Sequence, residues 1–469
     1  MKRLAPIADL LLLLSLAAAA WEAGRPPPGS SAGLAAHVPV SLSDHLRLLV
    51  LAPHSDDEVL GAAGLIRAAL RAGLEVRVVI ATNGDGHLFA TMQDLRRVYP
   101  RPGDFIRMGE LRQQESLTAL AELGLATENV IFLSYPDRGT ALLWNNFWSE
   151  AHPYRSPFSG ATRSPYPVTY NPDSVYAGED YLADLVSILE SYQPDLIVYP
   201  HPDDVHPDHW GLAAFTRLAM ATVERAHPDY RPWSYAYLIH RPRYPVTSGA
   251  HDKQALEPPA ALLGIDPNWF RIDLDGDDEL IKAKALAAYQ SQVPLSRKLF
   301  AGLTRATEIF AQPEPAELPT LAAGDSGYPA SWRDGAGEPI RPVQLVPVMD
   351  FIARRVIAGA DLMALYAAQT ADQHLVVCVQ SRGRTPSQLD YTLRVKAIGE
   401  RVVSHTASSW KWRKEDQTAT RSGAFACDTV GMSDLGDPWL LVVGASVEEV
   451  GAGILDQTAW QVVYVAGLP

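Results

Sequence analysis

The chain of 469 residues contains only two cysteines, Cys378 and Cys427. Both fall late and far from its histidine-rich stretches, so a zinc site built on thiolates has no ligands to draw on. In an oxidising compartment the two can form one bridge, because each lies in or beside an apolar, strand-like run; otherwise they are small buried hydrophobes. Basic residues are also in short supply: 40 Lys and Arg against 54 Asp and Glu leave a formal net charge of −14. Nucleic-acid binding needs clustered positive charge to displace counterions, so DNA and RNA are not expected partners. No apolar run reaches the roughly 20 residues that span a bilayer. A G-x-G-x-x-G turn is missing after the first predicted strand, where His54 to Glu58 would instead set negative charge beside a pyrophosphate, which argues against a dinucleotide enzyme. Internal repeats and low-complexity tracts are absent.

What is present is a globular composition, 47% hydrophobic and 20% charged. The length favours two domains. At the start, Lys2 and Arg3 precede the apolar stretch Leu10 to Ala20 and small residues up to Gly24. This reads as a signal peptide over 1–24, followed by a Pro- and Gly-rich linker over 25–44, and predicts an exported protein: secreted, periplasmic or on the cell surface, with no membrane span once the signal is removed.

From His45 strands and helices alternate. Leu48 to Ala52, Glu75 to Thr82, Val130 to Ser134, Asp195 to Tyr199 and Tyr235 to Ile239 read as buried strands. Glu58 to Ala72, Arg107 to Leu123, Tyr181 to Tyr192 and Trp210 to Glu224 read as helices, two of them closed by Gly73 and Gly124. This pattern predicts an α/β fold: a Rossmann-like, mostly parallel sheet with helices on both faces, over residues 45–312. Asp137 to Asp180 interrupts it with a long, aromatic-rich insertion, either a lid whose rings stack on sugar or a segment that the rings pin to the body. Residues 313–340 read as a linker. Residues 341–469 read as a smaller all-β, sandwich-like accessory domain, in which Trp410 and Trp412 alternate on one run.

The chemistry concentrates in two clusters, HSDDE at His54 to Glu58 and HPDDVHPDH at His201 to His209, each after an apolar run ending in proline. Carboxyl ends of strands are where open α/β sheets place their sites. Hydrolytic zinc takes three ligands from His, Asp or Glu and leaves a fourth position for a water of lowered pKa. His54 and Asp57, three apart at a strand end that turns into a helix, can converge on one point. A third ligand has to come from the second cluster, where His201, His206 and His209 are all available and spacing does not choose. Of the adjacent Asp56 and Asp57, one can ligate while the other serves as general base. Asp203, Asp204 and Asp208 can orient histidines.

The runs LVLAPHSDDEVLGAAGLI, Leu49 to Ile66, and HPDDVHPDHWG, His201 to Gly211, resemble the LmbE/PIG-L superfamily of zinc-dependent de-N-acetylases, whose motifs usually read A-H-P-D-D-E and H-x-D-H. Arg112 and Glu115, Asp137 after a strand, and the stretch KAKALAAYQSQ ending at Gln292 agree with it; Pro53 and Ser55 depart from the usual alanine and proline. The resemblance implies one Zn2+ per chain held by His54, Asp57 and His209. It implies Asp56 as general base, His206 as the group that stabilises the oxyanion or protonates the leaving amine, and Asp208 as a support for a neighbouring histidine. The implied reaction is removal of an N-acetyl group, on an N-acetylglucosamine-type sugar or glycan. Two other readings compete: a zinc amidase acting on a non-sugar amide, and a non-catalytic exported glycan-binding protein.

Overall fold

The computed structural model describes residues 46–245, 255–265, 268–322, 327–347, 357–410, 418–449 and 453–465. The expected signal peptide and linker over 1–44, and Trp412, lie outside the described residues. Among the described residues no helix is long and apolar enough to cross a membrane.

The α/β half runs β1 (Arg47–Ala52), α1 (Asp57–Arg71), β2 (Glu75–Thr82), the short α2 (Leu88–Asp94), α3 (Pro102–Leu123), β3 (Val130–Tyr135), the short α4 (Thr140–Asn145), α5 (Gly178–Tyr192), β4 (Leu196–Pro200), α6 (Pro207–Ala226) and β5 (Trp233–Tyr237). It ends with β6 (Trp269–Asp273), α7 (Gly276–Ala287), α8 (Val293–Leu303) and β7 (Thr307–Ala311). The sheet order is β3-β2-β1-β4-β5-β7-β6, parallel as far as β5, with β7 antiparallel to both of its neighbours. Leu48 to Val50 pair with β2 on one side and β4 on the other. The winding therefore reverses at β1, and a crevice opens above its carboxyl end, which is where such sheets bind their ligands. Leu48 to Ala52 are buried to within 1% because apolar cores cover both faces.

Three helices begin three or more residues earlier than the sequence predicts, α3 at Pro102, α5 at Gly178 and α6 at Pro207, and two of these open on proline. Proline suits the first helical position, since its φ is preset and its missing N–H would have no partner there. The shift makes His206 the N-cap of α6 and puts Asp208 and His209 in its first turn. Helix α1 kinks at Ala62 (φ −144°). The N–H groups of Gly64 and Leu65 beyond the kink donate to Glu308 Oε1 and Oε2 at 2.8 and 3.1 Å, and Lys282 Nζ donates to Glu308 at 2.8 Å. A buried charge on β7 thus completes a helix of the crevice.

The β half contributes β8 (Ala316–Glu317), β9 (Gln344–Leu345), β10 (Leu362–Gln369), β11 (His374–Ser381), β12 (Leu389–Ile398), β13 (Val402–Ser408), β14 (Thr420–Ser422), β15 (Phe425–Gly431), β16 (Leu440–Glu449), β17 (Gly453–Gln457) and β18 (Gln461–Tyr464). Sheets of order β14-β15-β11-β10-β9 and β13-β12-β16-β18-β8 share a core that includes Leu365, Val377, Leu393 and Val443, with β17 added to β16. Cys378 and Cys427 face each other across β11 and β15 and form a disulfide. The stretch 313–340, expected to be a linker, is tied in: β8 pairs with β18, and Trp332 is 1% exposed. Its proline and glycine content marks turns without preventing the apolar side chains between them from packing.

The two halves share one hydrophobic cluster. Trp144 and Trp460 have ring centroids 5.4 Å apart, and Leu440, Val442 and Val462 join residues of α5 and α6. Arg217 donates to the Trp460 carbonyl at 3.0 Å. Most rings of the 137–180 insertion join this cluster: Trp144, Tyr154 and Tyr176 are buried in it, Phe147 and Trp148 pack against it, and Lys396 Nζ of β12 sits 3.8 Å over the Trp148 ring.

Candidate active site

The crevice above β1 brings the two clusters together. His54 and Asp57 leave β1 and enter α1, and His206 to His209 open α6. Asp57 Oδ2 lies 3.0 Å from His54 Nδ1 and 3.1 Å from His209 Nε2. His54 Nε2 faces Asp208 at 3.2 Å and Asp137 at 3.3 Å, while His209 Nδ1 faces Asp204 at 3.1 Å. Each inner imidazole therefore meets Asp57 with one nitrogen and an outer carboxylate with the other. The outer carboxylates are themselves anchored: Asp208 accepts the N–H groups of Arg138 and Thr140, Asp204 those of His206, Ile239 and His240, and Asp137 that of Gly86.

The second cluster divides in a way that spacing did not reveal. His209 is fully buried and faces Asp57. The His206 ring lies 4.8 Å from His54 and 5.1 Å from His209, at the edge of the group. His201 turns away and stacks on Trp269, with centroids 5.6 Å apart. His240, just past β5, was not anticipated; its ring lies 4.7 Å from His209. The available signal was positional, a histidine ending the apolar run YAYLI on the strand beside β4.

Asp56 is held apart from Asp57. As the N-cap of α1 it has φ 120° and ψ −28°, a conformation that side-chain-bearing residues seldom adopt. Its N–H donates to Glu58 Oε2 at 2.9 Å, and Tyr289 of the late AYQSQ stretch donates to Glu58 Oε1 at 2.6 Å. Arg112 of α3 reaches Asp56 Oδ2 at 3.2 Å and also donates to the carbonyls of Ser55 and Gly84. Gly84 is required here, since a Cβ would fall 1.8 Å from Arg112 Nη1. The strain at Asp56 is thus maintained by a network that joins α1 and α3 to the segments after β2 and α7, as at sites where geometry serves chemistry.

Burial and mutual charge set the protonation. Burial opposes charge on His54, but Asp137, Asp208 and Asp57 raise its pKa well above the ordinary imidazole value. His209 behaves alike: burial lowers it, and Asp204 and Asp57 more than compensate, carrying it to about 9. Burial pushes the Asp56 carboxyl up to about 8 despite the opposing charge of Arg112. His206 moves the other way, to about 3, through burial and the positive charges of His54 and His209. Its Nδ1 accepts the Asp208 N–H at 3.3 Å, so the proton of the neutral ring belongs on Nε2.

Three observations bear on a metal. Both His209 ring nitrogens lie within ion-pair distance of carboxylates, yet neither makes a hydrogen bond of acceptable direction. Such atoms approach one another without pointing at one another, as ligands of a shared ion do. Ligands about 2.0–2.1 Å from a tetrahedral ion sit roughly 3.3 Å apart, close to the two separations found at Asp57. Finally, Asp57, Asp137, Asp204 and Asp208 crowd around two imidazoles in a dry crevice, an arrangement that a cation relieves. Three groups of ligand atoms lie within 4.8 Å of one another, His54–His206–His209, Asp57–His209–His240 and His54–Asp137–Asp208, so His54, Asp57 and His209 each belong to a set that could hold a cation.

Residues 49–220 match the sequence model of the family described as PIG-L: GlcNAc-PI de-N-acetylase. The chain carries a PIG-L family domain. Similar solved structures include the conserved protein TT1542 from Thermus thermophilus, 20% identical, covering 60% of this chain and 100% of that one with a TM-score of 0.35. Another is N,N'-diacetylchitobiose deacetylase from Pyrococcus horikoshii, 18% identical, covering 56% and 82% with a TM-score of 0.34. A third is GalB, the 4-carboxy-2-hydroxymuconate hydratase from Pseudomonas putida KT2440, 19% identical, covering 55% and 83% with a TM-score of 0.34. Likenesses at this level assign no reaction. The PIG-L match contains both clusters together with Arg112, Glu115 and Asp137, whereas Tyr289 and His240 lie beyond its end.

Proposed function

We propose that this protein is a zinc-dependent de-N-acetylase that hydrolyses the acetamide of an N-acetylglucosamine-type sugar or glycan, with one Zn2+ per chain on His54, Asp57 and His209. The observation that carries this reading is Asp57 Oδ2 poised 3.0 and 3.1 Å from one nitrogen of each histidine, with neither ring nitrogen of His209 making a hydrogen bond. Zinc, when bound, supplies Lewis acidity towards the acetamide carbonyl and lowers the pKa of a water. Asp56 is the general base. It sits beside the ligands without sharing their contacts, and its high proton affinity suits taking a proton from the attacking water and passing it to the departing amine. Arg112 positions Asp56.

His206 donates its Nε2–H to the carbonyl oxygen as negative charge develops there. The role expected from the sequence had this imidazole charged. Burial favours the neutral ring, which stabilises the oxyanion by hydrogen bonding and leaves proton delivery to Asp56. Asp208 and Asp204 fix the outer nitrogens of His54 and His209, and so the direction in which the inner ones point.

We further propose export to the periplasm, cell surface or medium. The N-terminal sequence motivates this, and the Cys378–Cys427 bridge suits an oxidising compartment. The function is tested by acetate release from N-acetyl sugars compared with acyl-amino acids. Release from the sugars at least tenfold above the amino-acid amides is expected; the reverse preference would favour an amidase.

A further inference from the structure

A cavity of about 630 Å³ lies where the PIG-L half meets the sandwich. Small-molecule sites commonly enclose about 300–1,000 Å³. One wall is the loop between β4 and α6, including Val205 and Asp204, which faces His209, together with Pro207, the first residue of α6. The opposite wall is the sandwich: Arg394 of β12, Ile454 and Gln457 of β17, and Thr458. Arg138, next to Asp137 of the catalytic crevice, lines it as well. The cavity thus begins at the rim of the reaction site and continues onto a surface that the PIG-L fold alone does not supply.

Its chemistry is uneven. Arg138, Arg241 and Arg394 contribute three guanidinium groups in a chain whose net charge is −14. The lining also holds two carboxylates: Asp204, which is engaged by His209 and by three backbone N–H groups, and its neighbour Asp203, whose carbonyl accepts from Arg241 at 3.0 Å, so the guanidinium groups outnumber them by three to two. Arg394 is anchored by its bond to Ser446 at 2.7 Å, and its contact with Glu448, at 3.8 Å, exceeds hydrogen-bond reach. Guanidinium groups are matched to carboxylate and phosphate oxygens, and Trp210, Leu142 and Ile454 offer apolar faces for a sugar ring.

We propose that this cavity is a subsite for an acidic saccharide unit, carrying a carboxylate or phosphate, that adjoins the N-acetylated sugar in the substrate. The proposal rests on the deacetylase reading, and gives the sandwich a part in choosing the substrate. It is tested on the zinc-loaded full chain with an N-acetyl monosaccharide, a neutral N-acetyl disaccharide and the same disaccharide bearing a uronate as its second sugar. The uronate disaccharide is expected to exceed the neutral one in kcat/KM by about 10- to 100-fold, as one or two charge-assisted hydrogen bonds would give. Arg394→Gln, and separately Ile454→Glu at an exposed edge of the cavity, should bring that ratio towards one, mainly through KM.

Calorimetric titration with a uronate oligosaccharide lacking any N-acetyl group keeps the cavity test separate from the reaction. Binding to the unaltered protein that weakens at least tenfold in Ile454→Glu supports the subsite even if no acetate is released from any sugar, a result that would fail only the deacetylase reading. Equal kcat/KM for neutral and acidic disaccharides, or no binding of the uronate oligosaccharide, would overturn it.

Discussion

At the scale of single residues, the proposed function divides the site into groups that would hold an ion and one that would move a proton. Asp56→Asn should lower kcat by about 10²- to 10⁴-fold while zinc content, read by atomic absorption, stays near that of the unaltered chain. His209→Ala should lose the metal together with activity. Retained turnover in Asp56→Asn would remove it from the role of base. The pKa values give a further check. In metal-free protein His209 and His54 are raised above their unfolded value near 6.5, so the stability they contribute is complete below that pH and disappears as pH rises through the raised value of each, about 9 for His209. Asp56, raised to about 8, acts in the same direction over its own range. His206 is depressed to about 3, so folding sheds its proton between about 3 and 6.5, and it opposes stability only on the acid side. Chelated protein should therefore lose melting temperature from pH 6.5 to 9, and added zinc should raise it more at pH 8.5 than at 6.5. A melting temperature that is flat or rises with pH would contradict this.

At the scale of elements, both clusters were legible because each ends a buried strand, and strand ends that turn into helices are where ligands three residues apart can converge. His201, His206 and His209 could not be ranked from spacing. The choice depends on the start of α6 at Pro207, which sets His206 at the cap and His209 one turn inside, while His201 stays on the loop against Trp269. His240 escaped notice because it stands alone, without a motif around it. Nor did the sequence disclose that Arg112 of α3 and Tyr289, in the turn between α7 and α8, converge on the strained turn at Asp56 from distant parts of the chain. That convergence predicts a remote effect. Tyr289→Phe removes the bond to Glu58 with little change in volume, and should lower kcat by about tenfold as the Asp56 turn relaxes; unchanged kcat would separate that turn from the chemistry. The kinked helix predicts a cost in stability instead. Glu308→Ala leaves Lys282 buried without its partner and should destabilise by about 3–5 kcal/mol, measurable by urea titration.

At the scale of the whole molecule, the parallel sheet followed by a β-sandwich could be read from the alternation of patterns, but the association of the halves could not. The long aromatic insertion offered two readings, and the structure spends most of its rings on joining the sheet to the sandwich through Trp144, Trp148 and Trp460. Periodicity reports which face of an element is apolar and says nothing about which distant element covers it. The shared cluster predicts that the halves unfold together, and that Trp460→Ala costs about 3–5 kcal/mol; two resolved transitions in calorimetry of the unaltered protein would contradict a common core. The central claim, that ligands from both clusters hold one hydrolytic zinc, is tested most directly by acetate release from an N-acetylglucosamine-type saccharide before chelation, after it, and after zinc is returned. About one zinc per chain, loss of release on chelation and its recovery in proportion to zinc restored are the predicted results. Acetate release that continued in protein shown to be free of metal would contradict the claim.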